Sequence, residues 1–207
     1  MLNEDIEKFE RSPGYLGLRA RKRIPSGDVI HARNPEDPIL TLEEVLELPL
    51  EIRMPAYRYK DGFIIETDGS DLMNHSCSPN TWWNDDDTLI ALKDIEAGTE
   101  ITYDYVTSQA GINYRSSWIC RCQSPDCRRV LMEEDLLLPE IQQSYGEHLP
   151  SWAKTYIKEQ NKSGLGLKLR LLPLHRFLLY LRIRFYKPVR RFLKGLKEQS
   201  KDHTTPE

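Results

Sequence analysis

The sequence predicts a mostly β fold with a smaller helical part towards its C-terminal side. Short apolar runs bounded by turn residues recur between residues 15 and 105, and no alternation of strand and helix patterns accompanies them. Helical spacing of apolar residues becomes prominent only after the cysteine-rich stretch, around residues 138–160. Because a chain of 207 residues can bury one full core, we expect one β-rich domain with helices attached to it.

The first predicted strands flank a turn that is rich in proline and glycine. Apolar residues alternate in Leu16–Ala20 and again in Ile24–Ile30, a segment that contains Pro25 and Gly27. This pattern predicts two short strands joined as a hairpin. Further short strands, each bounded by turn residues, are predicted at residues 63–67, 89–92 and 100–105.

The helices are predicted from capping signals and from apolar spacing. Thr41 and Glu44 stand three residues apart at the start of an apolar run, which is the spacing of a capping box. A short helix should therefore cover residues 42–48 and end before the proline that follows. Further helices are predicted where apolar residues recur at helical spacing, at residues 138–149 and 150–160.

Four cysteines match the ligand count of one structural zinc site. Cys77 stands alone, whereas Cys120, Cys122 and Cys127 lie close together in the sequence. Four thiolates bind Zn²⁺ tetrahedrally and leave no position for water, so such a site holds structure and does not perform hydrolysis. The first residues lack the basic and apolar regions of a secretory signal. We therefore expect a reducing, intracellular environment, which disfavours the alternative of disulfide bonds.

The charge is distributed asymmetrically along the chain. Residues 1–164 contain 18 lysines and arginines against 29 acidic residues, a net charge of −11, whereas residues 165–197 contain 10 basic residues and no acidic one. The acidic part favours cationic partners such as lysine-rich protein segments, although a merely solvated acidic surface is the alternative. We expect a cytoplasmic protein, with the nucleus or the membrane periphery as alternatives.

The basic segment at residues 165–197 has the pattern of an amphipathic helix. Leucine and phenylalanine recur at steps of three and four, opposite lysine and arginine. Three interpretations are open: binding to an anionic membrane surface, binding to nucleic acid, or folding back on the acidic part of the chain. Nucleic acid is the less favoured of the three, because it does not require an apolar stripe. No window of eighteen uncharged residues occurs, so no transmembrane span is predicted.

Three segments occur in an order that is typical of one family. Asn74–Asn80 reads NHSCSPN, Gly98–Tyr105 reads GTEITYDY, and the later cysteines follow the spacing Cys-x-Cys-x4-Cys. The first resembles the Asn-His-Ser-Cys-x-Pro-Asn segment of SET-domain protein lysine methyltransferases, and the second their Gly-Glu-Glu-Leu-Thr-Tyr-Asp-Tyr segment. The third resembles their post-SET zinc element. The resemblance covers about residues 10–132, and the acidic, helical stretch that follows, to about residue 160, resembles the C-terminal extension of small bacterial members.

The resemblance implies a β-clip-like SET fold. In this family, small β-sheets surround a pseudo-knot in which the segments matching residues 74–80 and 101–105 are threaded together, and a C-terminal helical extension follows. The implied boundaries are a SET domain at 10–110, a post-SET zinc element at 111–132, a helical extension at 133–160 and the basic amphipathic tail at 165–197.

The resemblance also implies an activity. In this family, S-adenosylmethionine and a target lysine enter from opposite faces, meet in a narrow channel, and the methyl group passes directly to the lysine nitrogen. Tyr105 matches the tyrosine beside the transferring methyl group. Tyr103 matches the position that sets how many methyl groups are added, and a tyrosine there favours monomethylation. The structural zinc ion would be held by Cys77, Cys120, Cys122 and Cys127, and it would clamp the post-SET element over the cofactor.

Cofactor contacts are implied for a further set of residues. Asn74 and His75 match the pair that holds S-adenosylmethionine, and this role is favoured over a nucleophilic dyad of His75 and Cys77 because zinc needs the thiol. The family's N-terminal loop reads Gly-x-Gly-Leu-Phe-Ala, of which only Gly17 is retained in register. The backbone around it can still approach the cofactor. The expected cofactor contacts are therefore Leu16, Gly17, Leu18, Asn74, His75, Tyr105, Trp118 and Leu131.

Some aromatic and apolar residues have two interpretations. Trp118, Ile119 and Leu131 are candidates for covering the adenine ring, and core packing explains them equally well. Tyr57 and Tyr59 are candidates for the lysine channel or plain strand aromatics.

The sequence leaves three functions in competition. The favoured one is a zinc-stabilised lysine methyltransferase that acts on a basic or flexible segment of a lysine-containing protein. A catalytically weak SET module acting as a protein-binding adaptor is the first alternative, supported by the altered glycine loop. The second alternative is a zinc module that binds nucleic acid through residues 165–197.

Overall fold

The computed structural model describes residues 1–53, 55–108 and 118–162, except for the side chains of Leu50, Trp118 and Glu133. The predicted basic tail at residues 165–197 lies outside these residues. Eleven short strands are found within them: β1 (Ile6–Ser12), β2 (Tyr15–Ala20), β3 (Val29–Ala32), β4 (Tyr57–Tyr59), β5 (Gly62–Ile64), β6 (Asn74–His75), β7 (Thr81–Trp83), β8 (Thr88–Ala91), β9 (Thr102–Tyr103), β10 (Trp118–Ile119) and β11 (Val130–Leu131).

The α-helices are short, and the longest comes last. They are α1 (Leu42–Glu47), α2 (Leu50–Arg53), α3 (Pro139–Tyr145) and α4 (Ser151–Lys162). Single 3₁₀ turns occur at Ser70–Leu72, Tyr105–Thr107, Glu133–Leu137 and Gly146–His148. The prediction of a mostly β fold followed by helices is confirmed. No helix in the part of the chain that the structure describes is long and apolar enough to cross a membrane.

The strands form five small sheets. Strands β3, β8 and β7 form the largest, in that order, and β1–β2, β4–β5 and β10–β11 are antiparallel pairs. The predicted hairpin between residues 16–20 and 24–30 is wrong. The two segments do contain strands, but β2 pairs with β1 and β3 pairs with β8. Strand β1 was missed because its sequence IEKFERS is mostly charged; in the fold those charges face solvent and form cross-strand ion pairs such as Glu7–Arg19 at 2.7 Å.

The predicted threading of two distant segments is confirmed. Strand β6 pairs in parallel with β9, and Asn74 lies opposite Thr102. The side chain of Asn80 fixes this crossing, because its amide donates to the Glu100 carbonyl at 2.8 Å and its oxygen accepts from the Thr102 amide at 2.8 Å. Asn80 is 7% exposed, so these hydrogen bonds satisfy a buried amide. The asparagine that ends the NHSCSPN segment therefore holds the two threaded strands in register.

Three apolar clusters are buried in the described residues, and the third, which contains Val45, Ala56 and Phe63, packs α1 against β5. The first is formed by side chains of the small sheets and their connections, with Leu18, Ile30, Ile64 and Ile101 among its fully buried members. The second lies under α3 and α4 and includes Leu136 and Trp152.

Helix α1 begins as predicted. Thr41 accepts a hydrogen bond from the Glu44 amide at 3.2 Å, and the Glu44 carboxylate accepts one from the Thr41 amide at 2.7 Å. This reciprocal pair confirms the capping box.

Candidate active site

A broad cleft lies beside the threaded strands. Its volume is about 740 Å³, and it is lined by Tyr15, His75, Tyr105, Ile119 and Leu131 among others. The lining thus combines residues from β2, β6, β10 and β11 with the 3₁₀ turn that follows β9. A cleft of this volume that is lined by both aromatic and polar groups is large enough for a nucleoside-sized ligand.

A much smaller cavity lies next to this cleft. Its volume is about 50 Å³, and Tyr57, Trp83 and Tyr103 form its aromatic walls while Glu66 and His31 also line it. Asp71 lines both the cleft and the small cavity. The rings of Tyr103 and Tyr105 are 5.0 Å apart, one lining each space. The two tyrosines predicted to be catalytic therefore lie where the cleft and the cavity adjoin.

Tyr105 is held by its surroundings in a defined orientation. Its hydroxyl donates to the Met73 carbonyl at 3.1 Å, and its backbone amide donates to His75 Nδ1 at 3.2 Å. Burial, followed by the neighbouring Tyr103, raises the pKa of Tyr105 well above its usual value. Its hydroxyl is therefore a neutral phenol at neutral pH, with oxygen lone pairs that can accept contacts.

Gly17 allows a close approach between the β1–β2 hairpin and β6. The buried amide of Asn74 donates to the Leu16 carbonyl at 3.0 Å and to the Glu100 carboxylate at 2.9 Å. A Cβ atom at position 17 would lie 2.8 Å from Asn74 Nδ2 and 3.0 Å from Glu100 Oε1. Glycine is required here by space, because either neighbour would have to move to admit a side chain.

Gly17→Ala is expected to destabilise the protein by about 1–3 kcal/mol, because the added methyl group overpacks this contact. Denaturant unfolding measures this effect. Gly14→Asn is the matched control in the same hairpin, since a Cβ atom there meets nothing within 4 Å and asparagine tolerates the positive φ of 75°. Equal effects of the two substitutions would contradict the close-approach explanation.

The other residues predicted to contact the cofactor differ in whether their side chains line the cleft. Leu18 is 1% exposed and its side chain lies in the main core, so only its backbone is available to a ligand. The exposed side chain of Leu16 lies outside the lining of the cleft, to which the hairpin contributes Tyr15, Arg11 and Ser12. Sequence reasoning missed Arg11 and Ser12 because it did not predict β1.

The remaining aromatic and apolar candidates differ in which of the two spaces they line. Tyr57 lines the small cavity and donates to Glu66 Oε1 at 2.5 Å. Tyr59 instead donates its hydroxyl to Asp87 at 2.7 Å. Ile119 and Leu131 line the cleft, whereas the side chain of Trp118 lies outside the described residues.

The cysteines are brought together across the two threaded regions. The Cys77 and Cys120 sulfur atoms are 3.8 Å apart, far longer than the disulfide bond length of about 2.05 Å, and all four cysteines are free thiols. Tetrahedral zinc with bonds of about 2.3 Å to sulfur places its sulfur ligands about 3.8 Å apart. The Cys122 sulfur accepts from the Cys77 amide at 3.5 Å, and the Cys77 sulfur accepts from the Arg128 amide at 3.4 Å.

These contacts fit the donor set of a structural zinc ion. Ligand atoms of His75, Cys77, Cys120 and Cys122 all lie within 4.8 Å of one another, and Cys127, predicted as the fourth ligand, is not part of this group. The contact between Cys77 and Cys120 lowers the pKa of Cys77 and raises the pKa of Cys120, so Cys77 is the first of the two thiols to ionise. His75 Nε2 is 3.2 Å from the Cys77 sulfur, so His75 touches this cluster as well as the cleft.

Arg128 forms a buried ionic network that sequence reasoning missed. Its guanidinium lies 2.5 Å from Asp104 and 3.4 Å from Asp135. Asp104 follows β9 directly and also accepts the Tyr145 hydroxyl at 3.0 Å. The network therefore joins the threaded strands, the cysteine segment and α3. The sequence showed an arginine pair after Cys127, but burial of the first arginine could not be read from it.

Arg128→Leu is expected to lower the free energy of unfolding by about 3–5 kcal/mol, since it leaves buried carboxylates without a counter-charge. Urea denaturation of the two proteins measures the difference. Arg129→Lys is the matched control at the neighbouring, exposed position and should be nearly neutral. A loss below about 1 kcal/mol for Arg128→Leu would contradict a stabilising network.

Comparison with known proteins assigns the fold. Residues 15–106 match the sequence model of the SET domain, so this part of the chain is a SET domain. The solved structure of Arabidopsis thaliana SUVH6 in complex with SAM superposes with a TM-score of 0.50 at 22% identity, over 63% of this chain and 33% of that one. At this identity the likeness shows the fold alone.

Curated relatives share the same region. The H3 lysine-36 specific histone-lysine N-methyltransferases of Mus musculus and Homo sapiens are each 40% identical over 66 residues, which is 28% of this chain and 2% of the relative. Histone-lysine N-methyltransferase ash1 of Drosophila melanogaster is 40% identical over 147 residues, which is 61% of this chain and 6% of the relative. The chain thus spans only a small part of the length of these relatives.

Proposed function

We propose that this protein is a lysine N-methyltransferase that transfers a methyl group from S-adenosylmethionine to a lysine side chain of a protein substrate. The observation that carries the proposal is the pair of adjoining spaces, a broad cleft for the cofactor and a narrow aromatic cavity for the lysine. Tyr105 and Tyr103 lie where they adjoin. The matching SET domain and the histone-lysine N-methyltransferases among the relatives support it.

Bound S-adenosylmethionine would supply a methyl group made electrophilic by the adjacent sulfonium. The residues of this chain would supply alignment, which contributes up to about 7–11 kcal/mol in well-oriented reactions. The neutral hydroxyl of Tyr105, fixed by the Met73 carbonyl, places an oxygen atom near the polarised methyl hydrogens. No residue of the site has to form a covalent intermediate for this direct displacement.

The small cavity would select and prepare the lysine. A lysine side chain with its usual pKa of about 10.4 is protonated at neutral pH and must lose a proton before it attacks. Asp71 would attract the cation to the cavity. The rings of Tyr57, Trp83 and Tyr103 make the walls less polar than water, and this environment disfavours the ammonium form.

We further propose that zinc at the cysteine cluster is structural and that the substrate lysine lies in a basic or flexible segment of an intracellular protein. The net charge of −11 over residues 1–164 supports a cationic partner. The competing adaptor function is supported by the altered glycine loop, whose Leu16 side chain lies outside the lining of the cleft.

One pair of measurements distinguishes the two functions. Purified protein is incubated with isotope-labelled S-adenosylmethionine and a mixture of lysine-rich proteins, and cofactor binding is measured by calorimetry. The methyltransferase predicts micromolar cofactor binding and label on lysine. The adaptor predicts protein binding without measurable cofactor binding, and that result would overturn the proposal.

Tyr103→Phe is expected to shift the product towards higher methylation states. The Tyr103 hydroxyl accepts from Ser108 at 3.2 Å and lines the small cavity, so its removal leaves room for further methyl groups. Mass spectrometry of the methylated substrate at full conversion measures the distribution. Ser108→Ala is the control, because it removes the same hydrogen bond but keeps the Tyr103 hydroxyl. An unchanged distribution in Tyr103→Phe would contradict this role.

A further inference from the structure

We propose that His31, Glu66 and Asp68 form a second metal site, separate from the cysteine cluster, for a divalent transition cation of the zinc class. His31 belongs to β3, and the two carboxylates lie on the segment that follows β5. One imidazole nitrogen and two carboxylate oxygens of these residues lie within 4.8 Å of one another. The proposal does not depend on the methyltransferase activity.

The imidazole of His31 is the observation that points to a ligand. Its side chain is 6% exposed, and Nε2 is buried without a hydrogen-bond partner. This nitrogen lies 3.6 Å from Glu66 Oε2 and 3.5 Å from Asp68 Oδ2. A buried nitrogen that makes no hydrogen bond costs free energy unless something else satisfies it.

The distances favour a metal ion over a shared proton. An N–H group bound to a carboxylate normally lies 2.7–2.9 Å from the oxygen, and a single proton on Nε2 can point to only one of the two carboxylates. Ligands that are about 2.0–2.1 Å from a tetrahedral zinc ion lie about 3.4 Å from one another. The two nitrogen–oxygen separations are close to that edge length, and the two carboxylate oxygens lie within 4.8 Å of each other, so the three atoms can face one small cation.

Each carboxylate is oriented by a second contact, as is common around metal sites. The Tyr57 hydroxyl donates to Glu66 Oε1, and the Ser70 amide donates to Asp68 Oδ1 at 3.0 Å. The other oxygen of each carboxylate is left facing His31.

The imidazole ligand sets the chemical class of the metal. Mixed nitrogen and carboxylate ligands suit zinc and its neighbours in the transition series, whereas magnesium and calcium prefer sites made of oxygen alone. The amino group of Met1 lies 3.3 Å from Asp68 Oδ2 and is the competing cation at this site.

The decisive measurement is the number of zinc ions bound per chain. Full-length protein is saturated with Zn²⁺ alone, passed through a desalting column, and counted by native mass spectrometry. Two ions are expected for the unsubstituted protein, one at the cysteines and one here. Glu66→Gln and Asp68→Asn should each retain one ion, with Zn²⁺ affinity at this site reduced by more than about 100-fold, because they remove ligands.

Two further variants separate binding from unfolding. Asp71→Asn removes a carboxylate from the wall of the same cavity without touching the three donor atoms, and it should still bind two ions. Tyr57→Phe removes the outer hydrogen bond and should weaken Zn²⁺ binding about 10–100-fold while keeping two ions at saturation. Circular dichroism checks that each variant is folded. A single ion on the unsubstituted protein, or two tightly bound ions on both folded ligand variants, overturns the proposal.

Discussion

Tyr105→Phe is expected to reduce the rate of methyl transfer by about 10²-fold or more, with little change in the affinity for S-adenosylmethionine. Removal of one preoriented polar group from a catalytic site typically costs about 10²–10³ in kcat. The hydroxyl of Tyr105 lies where the cleft and the small cavity adjoin, and the Met73 carbonyl fixes its direction. The ring itself is retained by phenylalanine, so packing against Tyr103 and His75 should persist.

The measurement is single-turnover label transfer together with calorimetry of cofactor binding. Tyr59→Phe is the matched control, because it removes the same hydroxyl from a tyrosine that contacts Asp87 and is outside the lining of both spaces. A rate within about threefold of the unsubstituted protein for Tyr105→Phe, with binding intact, would show that this hydroxyl has no part in the chemistry.

The pH dependence gives a second test of the same residue. Because the pKa of Tyr105 is raised, its neutral phenol persists to pH values above the usual 10. The increase of rate with pH should therefore come from the substrate lysine, whose neutral amine becomes more abundant as pH rises. Tyr105→Phe should lower the whole pH–rate profile and leave its slope unchanged. A changed slope would mean that Tyr105 itself titrates.

The sequence predicted those parts of the site whose chemistry depends on residue type and spacing. Four cysteines indicated a zinc site, and the structure brings the donor atoms of Cys77, Cys120 and Cys122 within 4.8 Å of one another, together with His75. The residues of the NHSCSPN and GTEITYDY segments were recognised as patterns, and the threaded pair β6–β9 is built from them. Short-range signals such as the capping box were also sufficient to predict where α1 begins, because the geometry of a capping box involves only neighbouring residues.

What the sequence could not predict depends on long-range pairing and burial. Strand β1 carries a charged sequence, and only its pairing with β2 makes it a strand. The burial of Arg128 follows from its pairing with Asp104, 24 residues earlier in the chain, and with Asp135 on the segment before α3. His31, Glu66 and Asp68 have no motif spacing, and the folding of β3 against the rest of the domain brings them together. In each of these examples, tertiary contacts determine the strand pairing, the burial or the grouping of the side chains.

Removal of zinc, or Cys122→Ser, is expected to reduce methyl transfer more than about tenfold without removing any group that touches the methyl. The cysteine cluster ties Cys77, which follows β6, to the segment that carries β10 and β11. Ile119 and Leu131 of that segment line the cleft, so its displacement would open the cleft. Structural zinc sites contribute apparent binding free energies of about 10–16 kcal/mol in small peptides, which is large compared with the other contacts of so short a segment.

The loss should be local, because the main core is formed by other residues. Leu18, Ile30, Ile64 and Ile101 are buried independently of the cysteines, so circular dichroism should change little while hydrogen exchange increases over residues 118–131. Activity lost to a chelator should return with Zn²⁺. Ser124→Ala is the matched control, since it removes the hydroxyl 3.3 Å from the Cys122 sulfur but no thiolate. Full activity of Cys122→Ser at low zinc would refute a role for the cluster in forming the cofactor site.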